Sequence, residues 1–474
     1  MKRASLAWAI LGIASVLFAL LVLAAARCDR RQQAKCSGVP TSAASPGPSP
    51  GAREVDADAR GFLYGRITTV GGTVYEGRMR WGGGQEAFWG DTFNGSKREN
   101  PWLVHVPSKN RPREHRAIEV FGLEILRRER PMSLLRPFMA RFGDIARIEA
   151  RRRIVQVVLK SGSAFDLDRM EASDFDDGLR VWDRDRGIVQ LDSLLIRAVE
   201  FLPAPPSDAV PSRLRGTVRA RTGEFAGFIQ WDREECTGSD TLDGRAADGS
   251  LSLRFDSIRS IARLPRGGSR VTRADGREVD LSGAGDVDSG NRGVYVEDPR
   301  YGRVLVSWDA FERVDFNPGG SGPAYGDFPP GRPLTGAVTT RSARRLTGRI
   351  VFDLDESETT ETLDAPSAGV DYLIPLGLVA SIAKAGGGEA GPARARVTFW
   401  SGEVLPLEPA GDLGENNAGL LVFVEGRPSP AYVPWADVER IDLDRPPSMY
   451  PPFDGRLGGG VVAAPPDGAG GSLT

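Results

Sequence analysis

The chain has 474 residues, room for two to four domains at ~100–200 residues each. Its 61 Lys and Arg against 63 Asp and Glu leave a net charge of −2, which excludes a surface given over as a whole to nucleic acid. With 58 Gly and 34 Pro the chain favours many short strands over long helices, and its 2 His and 3 Cys exclude zinc arrays, disulfide scaffolds and most His-dependent catalysis.

Met1, Lys2 and Arg3 precede an almost unbroken apolar run of 21 residues, Leu6 to Ala26. That is longer than the ~7–15-residue core of a cleaved signal and matches a ~30 Å bilayer. Residues 1–27 therefore read as a signal anchor, with a signal peptide cleaved near Ala24, Ala25 and Ala26 as the alternative. Arg27 stands where a lipoprotein site at Cys28 would need a small residue. Arg27, Arg30, Arg31 and Lys35 beyond the run answer Lys2 and Arg3 before it, so charge leaves the orientation open. The export-like start points to a body anchored in the cell envelope, periplasmic or extracellular, with a cytoplasmic-facing body as the alternative and the membrane as partner through the N-terminal helix. Residues 28–60, rich in Pro, Ser and Ala, read as a disordered tether. Cys28 and Cys36 lie there, and Cys236, alone in the body, reads as a small buried side chain.

The rest of the chain repeats itself. Gly65-Arg-Ile-Thr-Thr, Gly77-Arg-Met-Arg-Trp81 and Asp91-Thr-Phe-Asn-Gly95 recur as Gly216-Thr-Val-Arg-Ala, Gly227-Phe-Ile-Gln-Trp231 and Asp240-Thr-Leu-Asp-Gly244. They recur again as Gly336-Ala-Val-Thr-Thr, Gly348-Arg-Ile-Val-Phe352 and Glu361-Thr-Leu-Asp-Ala365. A second kind of unit follows each copy, starting at Val155, Arg270 and Arg396 and ending on the alternations at 191–201, 306–316 and 433–443. Pro-rich joints separate three pairs, at 61–203, 212–317 and 333–443, and the first pair carries a basic extra segment at about 97–137. Residues 444–474 form a Pro- and Gly-rich tail. Period-two alternation between Gly-bearing turns predicts half-buried antiparallel strands, four or five to a unit. The expected fold is all-β, with six small barrel-like units in three tandem pairs after an N-terminal hydrophobic helix, and a six-bladed β-propeller as the alternative.

The order Gly-x-hydrophobic, turn, Gly-x-hydrophobic-x-Trp, acidic loop and final Ile-x-x-Ile strand resembles the Sm-like, or more broadly SH3-like, small barrels. Sm-like proteins form rings that bind RNA through an Asp/Asn loop. The resemblance would place that loop at Asp91/Asn94, Asp240/Asp243 and Glu361/Asp364. The second and third copies lack the Asn, and a body outside the cytoplasm would not meet RNA, so the resemblance implies the fold and not a nucleic-acid partner.

Oxygen-rich loops are the first candidate sites. Glu86, Glu235 and Glu356 each stand five residues before Asp91, Asp240 and Glu361. In the second unit type, Asp174-Phe-Asp176, Asp286-Val-Asp288 and Asp412-Leu-Gly414-Glu415 resemble the front half of calcium loops, where alternate carboxylates converge. Ca²⁺ or Mg²⁺ is the implied ion; the competing reading is turn chemistry, with Asp accepting from nearby backbone amides. A second candidate is the stretch from Lys97 to Arg153, with 15 Lys and Arg against 7 Asp and Glu. Its densest runs are Arg127, Arg128 and Arg130, and Arg151, Arg152 and Arg153. Such a patch suits a protein partner or an anionic surface, or is simply a solvated face.

No Walker loop or His-Glu-x-x-His motif occurs. The expected function is therefore a non-catalytic scaffold or binding module of a bacterial-type envelope, without a cofactor. A divalent-cation-binding protein and a carboxylate-dependent hydrolase are the alternatives.

Overall fold

The computed structural model describes residues 59–447, apart from 83, 109–112, 121–122, 132–135, 171, 207–210 and 385–393. The expected membrane span, nearly all of the tether and the tail from 448 lie outside the described residues. Among the described residues no helix is long and apolar enough to cross a membrane.

The body is all-β, and its sheets are antiparallel throughout. Ten strands recur in each repeat. In repeat 2 they are Arg215–Ala220, Gly223–Gln230, Thr241–Ala246, Gly249–Arg254, Ile258–Arg263, Ser269–Arg273, Glu278–Leu281, Val294–Asp298, Gly302–Val306 and Phe311–Asn317. Repeat 3 runs likewise from Thr335–Thr340 to Val438–Leu443, and repeat 1 from Tyr64–Thr69 to Ile196–Phe201. Repeat 1 adds a hairpin, Arg113–Val120 with Leu123–Pro131, between its third and fourth strands.

In all three repeats the main sheet orders the strands ninth, eighth, second, first, tenth, fifth, sixth, seventh. The ribbon of third and fourth strands lies against the seventh, through bridges from Lys97 to Leu167 and from Arg245 to Ser282. In repeat 3 the Glu408 N–H donates to the Pro366 carbonyl at 3.0 Å at the same place. Strands three to seven thus form one contiguous lobe, ordered five-six-seven-three-four. A second lobe, ordered ten-one-two-eight-nine, is assembled around it from both ends of the repeat.

This corrects the expectation of two barrels in tandem. The two lobes of a repeat are nested, and neither closes into a barrel among the described residues. Sheets of eight, ten and eight strands also exclude six separate four-stranded propeller blades. Alternation marks where each strand lies but carries no information on its partner, so the frame in which five strands make a lobe could not be read from it.

The repeated glycines have a steric origin. Gly65 faces Gly77, Gly216 faces Gly227 and Gly336 faces Gly348 across the first two strands. A Cβ on Gly216 would lie 2.3 Å from the Asp315 carbonyl oxygen, and one on Gly227 2.0 Å from that of Glu297. Only a residue without a side chain lets neighbouring backbones come that close. One hydrophobic core runs through repeats 2 and 3. They also share a sheet, because the ninth strand of repeat 2 pairs with Val370–Pro375, the fourth of repeat 3. Repeat 1 has its own core, with Phe228 and Phe328 packed into it.

Candidate functional site

The first set of acidic loops connects the second strand to the third. Asp91 Oδ2 accepts the N–H groups of Glu86 and Ala87 at 2.8 and 2.9 Å. Asp240 Oδ2 accepts those of Cys236 and Thr237 at 3.0 and 2.9 Å, and Glu361 Oε2 those of Ser357 and Glu358 at 2.6 and 3.0 Å. The three residues perform one task, closing a tight loop by capping its amides. The second set links the seventh strand to the eighth. Asp174, Asp286 and Asp412 each accept the N–H of the third residue of the third strand: Asn94 at 2.8 Å, Asp243 at 2.9 Å and Asp364 at 2.7 Å. These bonds latch one lobe to the other. Asp288 accepts Gly283 and Gly290 within its own turn, while Asp176 and Glu415 point to solvent. Among the described residues, no group of three or more His, Cys, Asp or Glu side chains is arranged to hold a metal ion.

The loop geometry also revises one alignment. Trp81 bridges Gln85, Trp231 bridges Glu235 and Phe352 bridges Glu356, so Gln85, not Glu86, is the counterpart of the two glutamates. Repeat 1 has one extra loop residue, which the five-residue spacing concealed. Gln85 Nε2 donates to the Thr92 carbonyl at 2.9 Å and to Asp174 Oδ2 at 3.4 Å. Glu235 instead sits beside Asp286. Burial, then the Asp286 and Glu234 carboxylates, push it up to about 8. Burial and the surrounding Asp355 and Asp412 carboxylates likewise hold Glu356 well above the usual carboxylate range. In each, the buried Oε2 has no hydrogen-bond partner. A protonated carboxyl at these positions presents a donor, as the Gln85 amide does.

The basic segment finds acidic partners within the chain. Lys97 Nζ lies 2.7 Å from Asp355 and 3.1 Å from Glu361 in a nearly buried cluster. Burial opposes its charge, yet the Glu361 and Asp355 carboxylates hold its pKa well above the ordinary lysine value. Arg136 pairs with Asp353 at 3.0 Å, and Trp102 packs edge-on against Phe423, with centroids 6.1 Å apart. Both roots of the insertion therefore fasten repeat 1 to repeat 3. Arg127, Arg128 and Arg130 lie on the second strand of the inserted hairpin, opposite Ala117, Arg116 and Glu114. Arg151 pairs with Glu149 at 2.6 Å, and Arg152 and Arg153 are exposed at the following turn. Cys236 is buried, as expected, with its thiol against the Gly84 carbonyl.

A further site escaped the sequence reading. At one corner of each repeat the first strand ends beside the turn that leads into the tenth. The same backbone bond forms in all three, from Val70, Arg221 and Arg341 to the carbonyls of Leu195, Ala310 and Asp437. In repeat 3 this corner opens a cavity of about 580 Å³, lined among others by Arg341, Lys384, Leu413, Tyr432, Pro434 and Trp435. Lys384 Nζ sits 3.8 Å from the Trp435 ring centroid and donates to the Trp435 carbonyl. Burial and the neighbouring Arg341 lower its pKa to about 8, against the pull of Asp437. Repeat 2 has a cavity of about 840 Å³ at the equivalent place, with Arg221, Arg263 and Trp308. Arg263 donates to the Trp308 carbonyl at 2.9 Å, as Lys384 does to that of Trp435. Repeat 1 has Val70, Ala150 and Ser193 at these positions. Trp308 and Trp435 hold the same place in the segments that close repeats 2 and 3; Arg263 and Lys384 end the fifth strand, with four strands in between, and join them only through the fold. No family model, curated protein or solved structure matches the chain.

Proposed function

We propose that the chain is a non-catalytic scaffold or binding module of a bacterial-type envelope, exported or tethered through residues 1–27 and built of SH3-like lobes. One observation carries this reading. Three copies keep the same strand order and the same loop-capping carboxylates, and differ in the side chains they expose. A catalytic centre needs carboxylates free to exchange protons or attack substrate, whereas here the repeated ones accept backbone amides. The same accounting favours turn chemistry over a divalent cation. Function in such an array resides in surface side chains on a common frame.

Fractionation of cells expressing the full chain tests the location. The chain is expected in the envelope fraction, with the body digested by protease only after the outer barrier is opened. Recovery of the intact chain in the cytosol would overturn the reading. Melting with EDTA, and then with millimolar Ca²⁺ or Mg²⁺, is expected to leave Tm unchanged. A rise lost on combining Asp286→Ala with Asp288→Ala would establish the cation-binding alternative.

A further inference from the structure

At its corner repeat 2 carries a carboxylate of its own, on the exposed Asp309 side chain, at a position where repeat 3 has none. Asp309 lies 3.1 Å from Arg263, whose guanidinium also donates to the Trp308 and Asp309 carbonyls. Val314 and Ile441 of the tenth strands pair with Val218 and Val338 of the first strands, and counting back from them the residue at the Asp309 position in repeat 3 is Ala436. Ala436 lines the cavity. No ion pair forms there at Lys384 or Arg341 among the described residues, although Asp437 and the exposed Glu415 lie near and Arg394 stands at the rim. Leu413, Tyr432 and Pro434 add an apolar wall, and the volume lies within the ~300–1,000 Å³ of small-ligand sites.

We infer that the repeat 3 corner binds a carboxylate carried on a small apolar body, the carboxylate taking the place that Asp309 fills in repeat 2. Arg341 and Lys384 receive the charge, and Leu413, Tyr432 and Pro434 cover the apolar part. Asn417 and the Tyr432 hydroxyl already bond to backbone carbonyls, at 2.6 Å to Asp412 and 2.9 Å to Ala418, so they shape the wall without reaching for ligand. The inference names a ligand class for the binding-module reading and rests on it.

Calorimetric titration of the full chain tests it, with 3-phenylpropionate, with 3-phenylpropionamide, and with a tripeptide ending in Phe as free acid and as amide. Saturable binding of an acid but not its amide is expected. A free acid that binds better than the tripeptide identifies a small-molecule source, and the reverse a peptide C-terminus. Arg341→Ala, at an exposed position, should weaken binding about tenfold. Lys384→Arg should retain it, and Ala436→Asp should abolish it by supplying the carboxylate internally, with Tm unchanged in all three. Equal binding of acid and amide, no saturable binding, or full affinity in the folded Ala436→Asp variant would overturn the inference. No binding by a chain that still fractionates with the envelope would remove this site and leave the scaffold reading standing. Binding by a cytosolic chain would do the opposite.

Discussion

At the corner where the first strand meets the turn before the tenth, repeats 2 and 3 place a cation beside a tryptophan, Arg263 with Trp308 and Lys384 with Trp435. Repeat 1 places Val70, Leu194 and Leu195 there, with 62%, 71% and 48% of their surface exposed. The main-chain bond that builds the corner is the same in all three. The backbone is therefore held by strand pairing and by the glycine crossings, and side chains at the corner can change polarity without moving it. Frame and corner should answer mutation very differently.

The largest effect belongs to the frame. Trp231 is fully buried, stacks edge-on against Phe311 with centroids 5.3 Å apart, and donates its indole N–H to the Asp286 carbonyl at 2.9 Å. Trp231→Ala should cost about 3–5 kcal/mol, seen as a lower denaturation midpoint. A loss as small as that of an exposed substitution would mean that the frame is not what fixes the corner. Next comes the joint between repeats 1 and 3. Lys97→Met leaves Asp355 and Glu361 buried without their cation and should cost about 3–5 kcal/mol at neutral pH. Much of that should return in acid, where Asp355, held above the usual carboxylate range by burial, takes up a proton. A pH-independent loss would point to packing and not charge.

A smaller and more specific effect separates the loops. Glu235 is held up to about 8 in the folded chain, against about 4.3 for an unperturbed glutamate. The folded state then binds more protons than the unfolded one between those values. Stability contributed by the protonated carboxyl is full below about 4.3 and is lost as pH rises towards 8. Glu235→Gln places the Gln85 side chain in repeat 2 and should flatten that decline, with its advantage over wild type growing from pH 5 to 8. A variant parallel to wild type across that range would show that Glu235 ionises normally.

The repeats and their all-β character were legible because alternation and Gly-bearing turns are local properties of the chain. The nesting of the lobes was not, because strands two and eight, the latter pairing Phe228 with Glu297, meet across sixty-odd residues with no local signal. The acidic columns were legible as columns and ambiguous as chemistry. Whether Asp286 faces an ion or the Asp243 amide depends on a partner 43 residues away. The basic run was similarly visible in charge alone, while the acids that answer Lys97 and Arg136 lie more than 200 residues downstream. The corner pockets needed both kinds of information, since Arg341, Lys384 and Trp435 come from three separate strands or turns.

The smallest effect should come from converting one corner into the other. Val70→Arg with Leu194→Asp gives repeat 1 the polarity found at Arg221 and Asp309. Both side chains already face solvent, so little apolar burial is lost, and an exposed ion pair adds about 0–1 kcal/mol at most. The unfolding free energy, read from the denaturation midpoint at an unchanged m value, should change by no more than about 0.5 kcal/mol. What should change is the apolar surface: Val70, Leu194 and Leu195 are neighbours, joined by the Val70 N–H to Leu195 carbonyl bond at 2.9 Å. Binding of a hydrophobic dye should therefore fall in the double variant. A large loss of stability instead would mean that these leucines are covered in the folded chain, by residues outside 59–447 or by a second molecule. The corner would then be a contact surface and not a free one, and dilution would distinguish the two, because only the second molecule's cover depends on concentration.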